Sequence, residues 1–314
     1  MRMKINQLEA GMKVTIPLLI GRITKGVAQN GAPYASITLQ DDTGEIEGKI
    51  WDVKPDQEAS IKVGLIGEVH CDVLLYRNSL QLRIHSITVG DQSTYELESF
   101  VNASTYDIDF LREEIKGFIN MIEDPIIKEL VDASMSSVGD LFFQYPAATR
   151  NHHDFVGGLA AHVYGMCKIG ISLCEHYEIY NKDLIIAGCV LHDMGKIEEY
   201  TAPMLAEYTP LGKLVGHISI MHANFTQIAK ELGYQDTEQA LVLRHMILSH
   251  HGQMDFGSPV VPMVKEAELL SFIDNIDART NMFEKLYEDQ TEGEFSPRMF
   301  ALNNRNFYKA KGIK

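Results

Sequence analysis

A chain of 314 residues with 45% apolar content is long enough for two domains, each with its own hydrophobic core. Its net charge of −15 excludes a uniformly basic nucleic-acid coat but not a local one, because residues 1–95 carry 10 Lys and Arg against 11 Asp and Glu, and the remainder 18 against 32. Residues 1–7 are polar and lack a signal-peptide core, and no apolar run approaches the roughly 20 residues that span a bilayer. With Cys71, Cys167, Cys174 and Cys189 forming no CxxC pair, a soluble protein of the reducing cytoplasm, without membrane attachment, is expected.

In chain order, residues 14–89 are strand-like. Segments 15–23, 34–40, 45–51, 67–76 and 80–87 are β-rich or alternate apolar with polar residues. Asp41-Asp42-Thr43-Gly44 and Arg77-Asn78-Ser79 read as tight turns, and residues 52–64 as a longer connection. Five short strands joined in this way predict a small OB-type barrel. Beyond residue 94 the pattern turns helical, with apolar residues at helical spacing over 109–119. The stretch after about Gly293 is polar with scattered aromatics.

The chemistry-bearing residues lie in the helical half. The apolar run Leu184-Ile185-Ile186-Ala187-Gly188-Cys189 leads into Val190-Leu191-His192-Asp193-Met194-Gly195-Lys196. An adjacent His and Asp at the end of a buried helix need a partner, since an unpaired buried carboxylate is costly and a metal ion satisfies both side chains. His162 precedes them, and His217, His250 with His251, and Asp274 follow. Asp274 and Asp277 share a helical face. Imidazole and carboxylate donors without thiolates suit Mn²⁺, Fe²⁺, Co²⁺ or Zn²⁺ in a reactive site rather than a structural zinc. Each histidine taken alone also has a structural reading; His250-His251 before Gly252, for instance, is compatible with a helix C-cap.

The series His162, His192-Asp193, Asp274 resembles the HD-domain superfamily of metal-dependent phosphohydrolases. The resemblance implies that these four hold a first metal, that His217 and His250 hold a second, and that Lys196, at the HDxGK lysine position, neutralises phosphate oxygen beside Asp193. Likewise Ile20-Gly21-Arg22-Ile23, followed by Leu39-Gln40-Asp41-Asp42-Thr43-Gly44-Glu45-Ile46, resembles the opening of nucleic-acid-binding OB domains. Such barrels stack bases on exposed aromatics over a basic groove, which makes Tyr34, Trp51 and Tyr76 with Arg22, Lys49, Arg77 and Arg83 the candidate nucleic-acid contacts. The competing reading is that Tyr34 and Trp51 are barrel core.

An OB barrel followed by an HD domain, with Asn151-His152-His153-Asp154-Phe155-Val156-Gly157-Gly158-Leu159-Ala160-Ala161-His162 before the first ligand, is similar to the YhaM-type exoribonucleases of Gram-positive bacteria over essentially the whole chain. The expected fold is therefore multidomain: an all-β OB-type barrel over 1–93, a helical linker over 94–130, an all-α HD bundle over 131–290 and a tail over 291–314. The implied activity is 3′–5′ exonucleolysis of single-stranded RNA, and of single-stranded DNA as a second substrate, with two divalent metals. Mn²⁺ is the first choice and Co²⁺, Fe²⁺ and Mg²⁺ the others. His251, His152, His153 and Asp277 remain open between metal, substrate and structural roles, and a homo-oligomer is compatible with the chain. A cyclic-dinucleotide or nucleotide phosphohydrolase is the competing reading, weakened because His250-His251 continues with Gly252-Gln253 and lacks that subgroup's Glu and Gly-Tyr-Pro. A DNA-binding protein with a structural HD core is a third, which the full ligand series opposes.

Overall fold

In a computed structural model, residues 3–27, 31–51, 61–76, 79–95, 97–100, 106–148, 153–201 and 206–313 of the chain are described. They fall into two units, Met1–Ala103 and Ser104–Lys314.

The first unit is the expected barrel. Strands β1 (Lys13–Val27), β2 (Pro33–Asp41), β3 (Gly44–Trp51), β4 (Ile66–Tyr76) and β5 (Ser79–Val89) close in the order β1-β2-β3-β5-β4. β1 is long enough to serve two neighbours. Its first half, Lys13 to Leu19, pairs with β4, and its second half with β2, the register shifting between Ile20 and Arg22. Such an irregularity bends a strand and lets one sheet curl onto itself. Alternation does the rest: Ala35, Ile37 and Leu39 of β2 and Ile46 and Ile50 of β3 point inward and join Ile16, Leu18, Val69, Val73, Leu82 and Ile84 in one core. The parallel β3–β5 pairing aligns Lys49 with Arg83.

The second unit is helical. Helices α1 (Ile108–Asn120), α2 (Pro125–Val138), α3 (Gly158–His176), α4 (Lys182–Leu191), α5 (Lys196–Glu199), α6 (Pro210–Val215), α7 (His217–Glu231), α8 (Glu238–Ser249) and α9 (Lys265–Asp289) are its α-helical elements. Helix α1 lies within the stretch 94–130 expected as a helical linker. It buries Leu111, Ile115 and Ile119 in the same core as α3, α4 and α8. Helix α4 starts cleanly because the Asn181 side chain accepts from Leu184 N–H, and every residue from Ile185 to Leu191 is buried. A helix apolar on all sides is a central one, and its C-terminus delivers His192 and Asp193 into the interior. No helix among the described residues is long and apolar enough to cross a membrane.

Candidate metal centre and nucleic-acid face

Five helices converge around Asp193. His162 lies in the first turns of α3, His192 caps the C-terminus of α4, His217 opens α7, and His250 caps α8; α9 contributes Asp274. His162, His192, Asp193 and His250 are all buried. Two glycines make the convergence sterically feasible. A Cβ on Gly195 would lie 2.2 Å from the His217 carbonyl oxygen, so only glycine lets the start of α7 reach Asp193. A Cβ on Gly165 would lie 2.1 Å from Asp277 Oδ1, so α9 approaches α3 one turn beyond His162.

The two oxygens of Asp193 face different histidines. Oδ2 lies 3.2 Å from His192 Nε2 and 3.9 Å from His162 Nε2, which is itself 3.3 Å from Asp274 Oδ1. Oδ1 lies 3.3 Å from His217 Nε2 and 3.6 Å from His250 Nε2. Among the described residues, His192 Nε2, His217 Nε2, His250 Nε2 and Asp193 Oδ1 are buried without a hydrogen-bond partner. Four such atoms in one place are costly unless something else satisfies them.

The Nδ1 atoms of His192, His217, His250 and His251 are anchored from behind. His192 Nδ1 sits 2.9 Å from the Cys189 carbonyl and His250 Nδ1 2.8 Å from that of Ile247. His251 Nδ1 is 2.7 Å from the Phe256 carbonyl, and His217 Nδ1 3.1 Å from Glu199 Oε1. A carbonyl accepts only, so Nδ1 carries the proton and Nε2 keeps its lone pair. This arrangement is how proteins orient histidine ligands. Nδ1 of His162 is 2.7 Å from Asp277 Oδ2, and His153 Nε2 is 2.8 Å from that same oxygen.

The electrostatics suit a cation. Burial, the largest influence, holds His250 and His251 below the usual imidazole range and so keeps them neutral. Burial would also depress His162, but hydrogen bonds to Asp274 and Asp277 overcome it and push that imidazolium up to about 10. A proton there does what a divalent cation would do, which is to balance carboxylates gathered in a dry pocket. Burial opposes ionisation of Asp193, yet the Lys196 ammonium and His192 keep its carboxyl well below the usual range. Lys196 Nζ is bound to Asp193 Oδ2 at 2.5 Å, so its charge is already engaged inside the cluster. The donor set and the orphaned atoms fit divalent metal.

The structure thus gathers His162, His192, Asp193, Lys196, His217, His250, His251 and Asp274, with His153 and Asp277 behind His162; His152 lies outside the described residues. Sequence reading missed Glu199, which accepts from both the backbone N–H and Nδ1 of His217. It also missed the backbone carbonyls behind His192, His250 and His251. Glu199 carries no motif; only its place one turn after Lys196 hinted at proximity.

On the barrel, Tyr34, Lys49, Trp51 and Arg83 occupy outward positions linked by strand pairing, Tyr34 opposite Trp51, Lys49 beside Arg83 and Asp72 opposite Arg83, while Tyr76 is exposed at the end of β4 opposite Ser79. Trp51 is 49% exposed, which corrects the reading of it as core. Tyr34 is half-buried, with its ring over Gly26, 5.1 Å from the Trp51 ring, and Lys49 Nζ lies 5.8 Å above it. Arg22 is exposed on β1, opposite Thr38 of β2. Arg83 hydrogen-bonds Asp72 through Nε and Nη2, so its guanidinium is held on the barrel. Arg77 lies outside the described residues.

Comparison with known proteins gives this geometry a lineage. A family model of the HD domain matches residues 159–279, and one of the OB-fold nucleic acid binding domain matches residues 18–89. The chain is 42% identical to 3'-5' exoribonuclease YhaM of Geobacillus sp. (strain WCH70) over 302 residues, 96% of this chain and 93% of that protein. It belongs to the YhaM 3'-5' exoribonuclease family. The barrel is also similar to the second OB-fold domain of replication protein A from Methanococcus maripaludis. A solution NMR structure of that domain is 28% identical over 28% of this chain and 94% of its own, with a TM-score of 0.25. A crystal structure of a domain of the same protein is 29% identical over 30% of this chain and 99% of its own, with a TM-score of 0.26. Within the YhaM family the helical half is the metal-dependent phosphohydrolase and the barrel the nucleic-acid-binding module.

Proposed function

We propose that the chain is a two-metal 3′–5′ exonuclease that shortens single-stranded RNA to nucleoside monophosphates, with single-stranded DNA as a second substrate. The observation that carries this reading is Asp193, whose two oxygens face separate sets of unsatisfied imidazole nitrogens. His162, His192, Asp274 and Asp193 Oδ2 would hold one cation, and His217, His250, His251 and Asp193 Oδ1 the other. A donor set so rich in imidazole favours Mn²⁺, Co²⁺ or Fe²⁺ over Mg²⁺, which prefers oxygen ligands. When bound, two such cations acidify a water for attack on a phosphodiester and neutralise charge on the phosphoryl oxygens. Asp193 would offer an oxygen to each cation, the five imidazoles would supply the nitrogen donors, and Lys196 would hold Asp193 while offering its remaining donors to a phosphoryl oxygen. His153 and Asp277 act behind His162. The four thiols are unbridged, in keeping with a cytoplasmic enzyme.

Two measurements test this. Single-stranded RNA labelled at its 3′ end should release labelled mononucleotide from the first turnovers with Mn²⁺, while 5′-labelled RNA shortens stepwise. Internal fragments, or faster turnover of cyclic dinucleotides, would sink the reading. Asp277→Asn removes the carboxylate that sets the His162 tautomer, and calorimetry should show metal affinity about 10- to 100-fold weaker, the range expected for a residue behind a ligand. Unchanged affinity would exclude that role for Asp277.

A further inference from the structure

The segment after α9 has a character of its own. Residues 293–314 contain five Lys and Arg and one Glu, a net +4 in a chain of −15. Residues 293–309 fold back as a hairpin: Phe295 bridges Tyr308 and Met299 bridges Arg305. Hydrogen bonds Gly293 N to Lys309 O (2.7 Å) and Ser296 N to Phe307 O (2.8 Å) hold the arms together. Leu302 is buried, and Phe307 packs its ring 4.8 Å from that of Phe283 on α9. Lys309 Nζ donates to the carbonyls of Tyr287 and Gln290, which closes the end of α9. The hairpin is therefore anchored in the helical unit. Its anchor at Phe283 is nine residues beyond Asp274, about 14 Å along the helix axis.

What this anchored hairpin leaves in solvent is mainly aromatic and cationic, with Glu294 its one acidic residue. Phe300 is 92% exposed, Phe295 64% and Tyr308 48%, with Phe295 and Tyr308 rings 5.2 Å apart. Arg298 and Lys311 are exposed among them. Exposed aromatics interleaved with positive charge on an anchored hairpin form a base-stacking platform, each stacked base being worth about 1–3 kcal/mol. A hydrophobic protein interface would not need the surplus of cations, whereas a polyanion does.

We propose that residues 293–311 form a second single-strand-binding surface, which grips the RNA strand outside the metal centre. This rests on the exonuclease reading for its biological sense, but its binding is measured without catalysis. Fluorescence anisotropy of a labelled oligo(A) 30-mer in EDTA compares the wild type with Phe295→Ala/Phe300→Ala and with Arg298→Glu/Lys311→Glu. Each pair should weaken binding at least tenfold, and the charge pair should also flatten the salt dependence. With Mn²⁺, KM on the 30-mer should rise while kcat on a tetranucleotide stays the same. Unchanged 30-mer affinity in both variants overturns the proposal. So does a loss confined to sedimentation, with dimers becoming monomers while RNA affinity holds, since the surface would then serve a second copy. Absence of any RNA turnover by the wild type would instead sink the exonuclease reading and leave the binding result intact. Circular dichroism confirms folding of the aromatic pair, and the charge pair, wholly on the surface, provides an independent arm.

Discussion

Asp193→Asn is expected to lower exonucleolytic turnover by roughly 10³-fold or more, a loss of about 4 kcal/mol in transition-state stabilisation. The size follows from position. Asp193 faces both histidine sets, with Oδ2 3.2 Å from His192 Nε2 and Oδ1 3.3 Å from His217 Nε2, so an amide there weakens both cation sites at once. Calorimetric stoichiometry should fall from two Mn²⁺ to one or none. The same change leaves the Lys196 ammonium, 7% exposed and bound to Asp193, without its counter-charge. Breaking a buried pair from one side costs about 3–5 kcal/mol, so the variant should also melt earlier in EDTA. His217→Ala serves as comparison, because it removes a donor from one set only and should retain one tightly bound cation. If Asp193→Asn keeps two sites and near-normal turnover, a role for Asp193 in both sites is wrong.

Tyr34→Ala combined with Trp51→Ala should weaken binding of a single-stranded 12-mer by at least 30-fold while leaving kcat on a tetranucleotide unchanged. Two stacked bases at about 1–3 kcal/mol each account for that factor, since every 1.4 kcal/mol is tenfold in affinity. The split between KM and kcat matters more than the size. The rings belong to the barrel unit and the proposed metal ligands to the helical unit, so an effect on chemistry at saturation would contradict a pure strand-holding role. Trp51 is half-exposed and contributes little to the barrel core. Tyr34 covers Gly26, so thermal unfolding of the single variants separates lost stacking from a loosened β1–β2 pair. Unchanged affinity in a folded double variant would return Tyr34 and Trp51 to a structural role.

Much of this molecule is legible in its residues because the relevant signals are local. The period-two alternation Ala35, Ile37, Leu39 specifies the inner face of β2. The unbroken apolar run before His192 announces a buried helix with polar residues at its end. The donor types specify a metal rather than packing. The interior consequences of pairing were not legible. Whether Arg83 is available depends on Asp72, 11 residues away on the neighbouring strand, and only the β4–β5 register decides it. Trp51 has the composition of a core residue, and its place at the open end of an outward row left it exposed. The tail after Gly293 carries no periodicity, so its folding back on α9 through Phe307 and Lys309 had no sequence signal.

What the sequence by itself determined is the class of chemistry and the two architectures, because periodicity, residue type and the adjacency of His192 to Asp193 are properties of a linear string. What only the tertiary structure decided is how the ligands are aimed. His162 is oriented by Asp277, 115 residues further on, and His217 by Glu199, 18 residues back, while carbonyls of Cys189, Ile247 and Phe256, which any residue could supply, fix three more rings. A tautomer is set by whichever oxygen happens to lie behind a nitrogen, and that is a matter of how helices pack. The division of Asp193 between two sets of histidines follows in the same way from Gly195 admitting the start of α7, a contact no spacing along the chain encodes.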